Sequence, residues 1–192
     1  MKPQYAFKSE YEARGVAPAD GSAHAGFTLL EMLLVLAIVC ILAAQVIPQY
    51  QGFMVRRQID VVARELAQGM QTARVFAQAH AINVRFCPVG KNELNAAAPK
   101  CRATTSNEDW AGWVFLSNLD GQVLLRSKPL PPAIQVCGNA DNGRVINERG
   151  GSDFSGFTLY VKASKMANLP AQEVTFAPSG RVQVATVVVT SC

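Results

Sequence analysis

The sequence predicts an α+β fold in which one long N-terminal helix packs on an antiparallel β-sheet domain. An uninterrupted apolar run covers residues 27–47, and apolar residues then recur at helical spacing to about Ala81. Short strand-like runs separated by turn residues begin at Ile82. The formal net charge of +4 is too small to identify a nucleic-acid-binding protein by itself.

Residues 1–26 form a charge-balanced leader that ends in a stretch of small residues, at positions 22–26. A secretory signal instead places its small residues after the apolar core. The apolar run at 27–47 corresponds to roughly 30 Å of helix, enough to cross the hydrocarbon core of a bilayer. We therefore expect a membrane-spanning segment that follows its cleavage site.

Glu31 is the one charged residue in the apolar run. A carboxylate inside a membrane is costly unless a partner neutralises it. The side chain could extend to the nearby interface, or its charge could be kept for pairing with another subunit.

Residues 48–81 are predicted to continue the helix as an amphipathic segment, and the ring of Pro48 is predicted to kink it. Apolar positions recur at three- and four-residue intervals with charged residues between them. These positions are Val55, Ile59, Val62, Leu66, Met70, Ala73 and Ala77.

Residues 82–192 are predicted to form the β-rich domain. Asp120-Gly121 and Asn142-Gly143 are turn signals, and Pro178-Ser179-Gly180 predicts a hairpin between the last two strands. The predicted strands cover residues 82–86, 113–117, 123–126, 134–136, 157–161, 174–177 and 182–189.

Five cysteines are present, with Cys40 in the apolar run and four in the β-rich region. Without paired C-x-x-C spacing, these four favour disulfides and an oxidising compartment over a zinc site. The alternative is four reduced, buried thiols. Three pairings are open. We favour Cys87 with Cys101, which would close a polar loop, and consequently Cys137 with Cys192.

The segment GFTLLE at residues 26–31 resembles the type IV prepilin motif. The resemblance implies that a prepilin peptidase cuts after Gly26 and methylates Phe27 as the new N-terminal residue. It also implies that Glu31 pairs with the N-terminal amine of a neighbouring subunit during filament assembly. A helix-kinking proline at the position of Pro48 is common in pilins.

Three further features resemble the GspH/FimT branch of minor pilins: Phe86-Cys87-Pro88, Cys101 and the segment WAGWVF at residues 110–115. In members of this branch linked to DNA uptake, a G-R-x-R motif near the C-terminus is associated with DNA binding. Here Gln183 replaces the second arginine, which removes one phosphate-pairing charge. The candidate DNA-binding residues are Arg181, Arg144, Arg149, Lys162 and Lys165.

The resemblance implies a minor pilin or pseudopilin subunit, anchored by one span in the inner membrane with residues 82–192 in the periplasm. Its implied partners are other pilin or pseudopilin subunits, the prepilin peptidase and, for the DNA-uptake alternative, DNA. The function would be pilus assembly or protein secretion. An alternative from another class is a membrane-tethered enzyme or lipoprotein.

We predict no catalytic site, metal site or cofactor. His80 is the only histidine beyond the leader, and Cys101 makes a disulfide the better interpretation of Cys87 than a catalytic pair with that histidine.

Overall fold

The computed structural model describes residues 27–102, 110–140, 143–152, 155–166 and 168–189, with the backbone alone at 45–49. The chain divides into two compact units, one ending at Ala43 and the other beginning at Ala44. Helix α1, Leu29–His80, begins in the first unit and ends in the second.

Helix α1 ends at His80, one residue before the predicted end at Ala81. The residue that follows the helix has a left-handed backbone conformation. Ala81 has a φ of 50°, and the amide of Ile82 donates to the carbonyl of Ala77 at 3.1 Å. This six-to-one hydrogen bond is typical of a Schellman motif, which satisfies a carbonyl that the helix leaves unpaired at its C-terminus. The chain then enters the first strand without a long linker.

The second part of α1 carries an apolar stripe that the β-domain buries. The stripe follows the three- and four-residue spacing of the sequence, so these positions share one face of the helix. Small residues alternate with large ones along it, and they let the strands approach the helix closely. The buried side chains are Ile59, Val62, Ala63, Leu66, Ala67, Met70, Ala73 and Ala77.

Eight strands form two antiparallel four-stranded sheets. They are β1 Val84–Val89, β2 Gly112–Ser117, β3 Val123–Arg126, β4 Ile134–Gly138, β5 Arg144–Ile146, β6 Phe157–Ala163, β7 Ala171–Phe176 and β8 Val182–Val187. The first sheet has the order β3-β2-β1-β5 and the second has the order β4-β6-β7-β8. Four of the six pairings in the described residues join strands that are consecutive in sequence, whereas β1 with β5 and β4 with β6 join strands that are not.

Four phenylalanines join the two sheets in the core. Phe115 and Phe86 belong to the first sheet, Phe157 and Phe176 to the second, and all four are fully buried. Successive ring centroids lie 5.4, 5.6 and 5.2 Å apart, within the range of favourable aromatic contacts. The row of rings crosses from one sheet to the other between Phe86 and Phe157.

A smaller apolar cluster covers the opposite face of the first sheet. Leu94 packs there against Val89, Val114 and Leu116. The guanidinium of Arg126 donates to the carbonyls of Leu94 and Ala96, and therefore fixes the loop that brings Leu94 over the sheet.

The predicted turn at Asp120-Gly121 joins β2 to β3. Gly121 has a φ of 70°, and the amide of Gln122 donates to the Asp120 carboxylate at 3.2 Å. Two hydrogen bonds lower the pKa of Asp120 below its ordinary value. The larger effect comes from the side chain of Ser117 and the smaller one from the amide of Gln122. The predicted turn at Asn142-Gly143 lies partly outside the described residues.

The prediction missed strand β5 and the first part of β7. β5 has only three residues and forms because Val84, Arg85 and Phe86 pair with it. In β7, Gln172 and Glu173 interrupt the apolar pattern, yet both pair within the sheet. Long-range pairing, rather than local alternation, decides both segments.

We expect Phe157→Ala to lower the free energy of unfolding by about 3–5 kcal/mol, because it removes the ring that joins the two sheets. Unfolding of the full chain in detergent micelles by urea, followed by tryptophan fluorescence, would measure this. Leu119→Ala is the matched control: Leu119 is 84% exposed at a turn, and its change is expected to stay within roughly 0.5 kcal/mol. Equal effects of the two substitutions would contradict this account of the core.

Candidate functional site

The first part of α1 presents apolar side chains in every direction around the helix, and all of them are exposed. The least exposed, Ile38, still has 49% of its surface accessible. A helix that is apolar all round is stable only when lipid or protein covers it. These side chains are Leu29, Leu30, Met32, Leu33, Leu34, Val35, Leu36, Ile38, Val39, Ile41 and Leu42, and Phe27 just before the helix is exposed as well.

Glu31 lies in the first turn of this helix, and Thr28 caps the turn. The hydroxyl of Thr28 accepts a hydrogen bond from the amide of Glu31 at 3.2 Å, and its carbonyl accepts one from the amide of Met32. Thr28 and Glu31 therefore have the spacing of a capping box, in which an acid at the third helical position complements the helix N-terminus. The Glu31 side chain is exposed among apolar neighbours.

Of the other predicted positions near this segment, Pro48 is described by its backbone alone and Gly26 is not described. Pro48 lies within α1, and the kink there stays a prediction. In the described part of the chain, no helix is both long and apolar enough to cross a membrane.

The predicted disulfide between Cys87 and Cys101 is confirmed, and the pairing of Cys137 with Cys192 stays a prediction. Cys87 and Cys101 are bonded, with their Cα atoms 4.9 Å apart, and they close the loop that carries Leu94. Cys137 is also disulfide-bonded, whereas its predicted partner Cys192 lies outside the described residues. Cys40 is a free, exposed thiol.

The turn before Arg181 is held against the helix by contacts that sequence reasoning missed. Arg74 donates to the carbonyl of Gly180 at 3.0 Å, and Gln78 donates to the carbonyl of Arg149, also at 3.0 Å. In the sequence, Arg74 reads as an ordinary polar residue between apolar helix positions. No local signal identifies its partner, which lies more than 100 residues away.

Gly180 meets two constraints that only glycine satisfies. Its φ is 80°, and a β-carbon there would overlap the carbonyl oxygen of Gly150. The amide of Gly180 donates to the carbonyl of Ala177, whose own amide donates to the carbonyl of Arg181. This is a type I turn closed by a glycine bulge, as the predicted hairpin required.

The structure brings together only part of the predicted basic set. Gly150 and Gly180 touch, so the loops bearing Arg149 and Arg181 lie side by side. Lys162 lies near the end of β6 that is distant from these two loops, and Lys165 follows that end of the strand. Arg144 lies on β5 in the other sheet, where its guanidinium donates to the carbonyl of Asn139 at 2.6 and 2.9 Å.

Gln183 occupies the position of the second motif arginine and pairs with the first. With its amide oriented to satisfy both groups, its oxygen accepts hydrogen bonds from the guanidinium of Arg181. The replacement of the second motif arginine by Gln183 therefore removes one positive charge, and Gln183 also hydrogen-bonds to the remaining arginine, Arg181. DNA binding stays a prediction that no observation here favours.

His80 has contacts of an ordinary helix-end residue. Its ring stacks on Phe76 with centroids 4.1 Å apart, and its Nδ1 lies 3.1 Å from the carbonyl oxygen of Phe76. Within the ranges the structure describes, no group of three His, Cys, Asp or Glu side chains could hold a metal ion.

Comparison with known proteins places these features in context. Residues 21–44 match the family model described as the prokaryotic N-terminal methylation motif. The chain is 36% identical to the type IV major fimbrial protein FimA of Dichelobacter nodosus, over 45% of this chain and 53% of that protein. It is 37% identical to a fimbrial protein of Pseudomonas aeruginosa, over 41% and 44% of the two chains. The chain thus spans about half the length of these curated relatives.

Two solved structures are similar over most of their length. The type IV minor pilin FimU of Pseudomonas aeruginosa matches with a TM-score of 0.50 and 13% identity, over 69% of this chain and 92% of that one. The minor pseudopilin EpsH from the type 2 secretion system of Vibrio cholerae matches with a TM-score of 0.49 and 11% identity, over 67% and 97%. The similarity to FimU confirms the predicted α+β pilin fold, and the methylation motif and the fimbrial relatives confirm the resemblance to type IV pilins. The narrower GspH/FimT placement stays a prediction.

We expect Gly180→Ala to destabilise the domain by roughly 1–3 kcal/mol from backbone strain alone, and by more because of the overlap with Gly150. Gly121→Ala is the matched control, since Gly121 has a φ of 70° with open space around its β-carbon position. Thermal unfolding of both variants would separate the strain from the overlap. Equal losses would show that the contact between the two loops contributes nothing.

Proposed function

We propose that this chain is a minor subunit of a type IV pilus or of a type II secretion pseudopilus, and that it contributes to pilus assembly or protein secretion. A prepilin peptidase cuts the cytoplasmic leader after Gly26 and methylates Phe27. Residues 27–47 then anchor the subunit in the inner membrane, with residues 82–192 in the periplasm. Its partners in the filament are other pilin or pseudopilin subunits.

The observation that carries this proposal is the exposure of all the large apolar side chains between Phe27 and Leu42. Burial of each of these side chains would contribute roughly 1.5–3 kcal/mol of stabilising free energy, so the segment is expected to be covered by lipid or protein. Lipid provides that cover before assembly. In a filament, the same segments of neighbouring subunits pack side by side and cover one another.

Glu31 gives this packing a register. The Thr28 cap fixes Glu31 at the third helical position, about one turn beyond Phe27. Cleavage after Gly26 would create an amino group at Phe27, which is the cation available at that depth. A carboxylate that faces the amino group of a neighbouring subunit neutralises two charges that would be costly in an apolar interior.

The disulfides support a periplasmic location for the β-domain. Cys87 is fully buried and bonded to Cys101, and Cys137 is bonded as well. Structural disulfides persist in oxidising compartments such as the periplasm and are rare in the cytosol. The similarity to fimbrial proteins and to the fold of FimU agrees with an extracytoplasmic β-domain behind an N-terminal anchor.

Glu31→Gln is expected to reduce incorporation into filaments by about tenfold or more, because it leaves an amino group unpaired in an apolar interior. Glutamine keeps the capping-box geometry, so the effect isolates the charge from the helix cap. Comparing the sheared filament fraction with the membrane fraction by quantitative immunoblot would measure it. Glu148→Gln, an exposed acid in the β-domain, is the control. Normal incorporation of Glu31→Gln would refute charge pairing.

Mass spectrometry of the native protein is expected to find a chain that begins at Phe27 and carries one N-terminal methyl group. Gly26→Val is expected to leave the leader in place, because the peptidase then meets a bulky residue at the cleavage position. Gly52→Ala should be processed normally, since the space around its β-carbon position is open. A native chain that begins at Met1, or beyond residue 47, would contradict the proposal.

A further inference from the structure

Strand β8 is an outer edge of the second sheet and lacks the features that normally protect such an edge. Natural edge strands are kept from pairing with other chains by shortness, charge, proline or bulges. Strand β3 has four residues and includes Arg126, and β5 has three and includes Arg144. Strand β8 has six residues, VQVATV, and no charge or proline occurs from there to Val189.

The turn geometry shows which backbone groups of β8 face outward. Because the amide of Ala177 donates to the carbonyl of Arg181, these two residues form a hydrogen-bonded pair. Hydrogen-bonded and non-hydrogen-bonded pairs alternate along an antiparallel ladder. Residues 183, 185 and 187 therefore bond to β7, whereas Val182, Val184 and Thr186 direct their N–H and C=O groups away from the sheet. Within the described residues, β8 pairs with β7 alone.

The inner side of β8 is held firmly, so the edge is already extended. The side-chain Nε2 of Gln172 donates to the carboxylate of Asp60 at 2.9 Å and to the hydroxyl of Thr186 at 3.0 Å. These bonds join α1, β7 and β8 at one point. A partner strand would thus meet a preorganised template and would not have to order it.

We propose that the open edge of β8 pairs with β8 of a second copy of this chain, antiparallel and about a two-fold axis through Val184. In this register Val184 faces Val184 of the second copy, and Val182 faces Thr186 in both directions. All three positions direct their backbone groups outward, so the pairing would form about six hydrogen bonds. The two sheets would become one continuous sheet across the axis.

The chemistry of the strand favours a second copy as the occupant. A two-fold pairing places like residues together, which is unfavourable when they are charged, and β8 has no charge to oppose. Val182, Val184 and Thr186 are all β-branched, a class that pairs well across strands. Arg181, the nearest charge in sequence, would face Val187 of the second copy. This pairing goes beyond the proposed function, because packing of subunits through α1 neither requires nor supplies it.

The first experiment compares Val184→Pro with Val184→Thr in the full chain, by sedimentation equilibrium in detergent micelles. Proline removes an outward N–H while leaving the bonds to β7, and threonine keeps that N–H and the β-branched shape. We expect self-association of Val184→Pro to be about 10- to 100-fold weaker than wild type, from the loss of two hydrogen bonds, and Val184→Thr to be unchanged. Because both variants keep α1, association through that helix is common to them. Equal association constants, or a wild type without concentration dependence, would overturn the proposal.

The second experiment decides the question even if Val184→Pro folds poorly. In a Cys40→Ser background, which removes the free thiol, Val184→Cys is expected to form an intermolecular disulfide on mild oxidation. The proposed register places the two copies of residue 184 directly opposite, about 5.5 Å apart between Cα atoms. It places the two copies of residue 188 roughly 26 Å apart, so Val188→Cys should remain monomeric. Val188 is 84% exposed and Val184 only 44%, so cross-linking governed by accessibility would favour Val188→Cys and overturn the register.

Discussion

The apolar stripe of α1 from Ile59 to Ala77 is the surface on which the β-domain is built. Both sheets contribute side chains to it, and the row of four phenylalanines connects the sheets at that surface. Burial of this kind scales with apolar area and has no preferred direction, so it fixes which face is covered but not the finer register. Register comes from the hairpins and from a few polar bonds between the helix and the strands.

Those polar bonds explain why the C-terminal turn has its observed position. Arg74 and Gln78 lie in the last two turns of α1 and bind the backbone of two loops, which brings Gly150 and Gly180 into contact. The position of Arg181 thus follows from these polar bonds to α1. A motif that resembles a ligand-binding sequence can therefore keep its glycine for structural reasons alone. The pairing of Gln183 with Arg181 fits that interpretation.

How much of the structure could be predicted from the sequence depends on whether each feature is determined by local or by long-range interactions. The end of α1 and the long hairpins were predictable, because helical periodicity, alternation and turn residues such as Asp120-Gly121 are local signals. Strand β5 was not, because three residues acquire their conformation from pairing with β1. The disulfide between Cys87 and Cys101 was predictable from loop composition. The contacts of Arg74 and Arg126 were not, because a single arginine in a sequence does not reveal which distant carbonyl it binds.

The two uncovered surfaces of the chain place different demands on a partner. The apolar side chains between Phe27 and Leu42 can be covered by lipid or by many similar helices, because hydrophobic burial is tolerant of geometry. Only Glu31 adds a directional requirement there. The edge of β8 is different, since backbone hydrogen bonds require a strand in one register and a slip of one residue reverses its faces. The helix segment therefore provides affinity for an apolar environment, whereas a strand edge selects an individual neighbour. In the function proposed above, the subunit first resides in lipid and later meets one specific protein, so it needs both kinds of surface on separate parts of the chain.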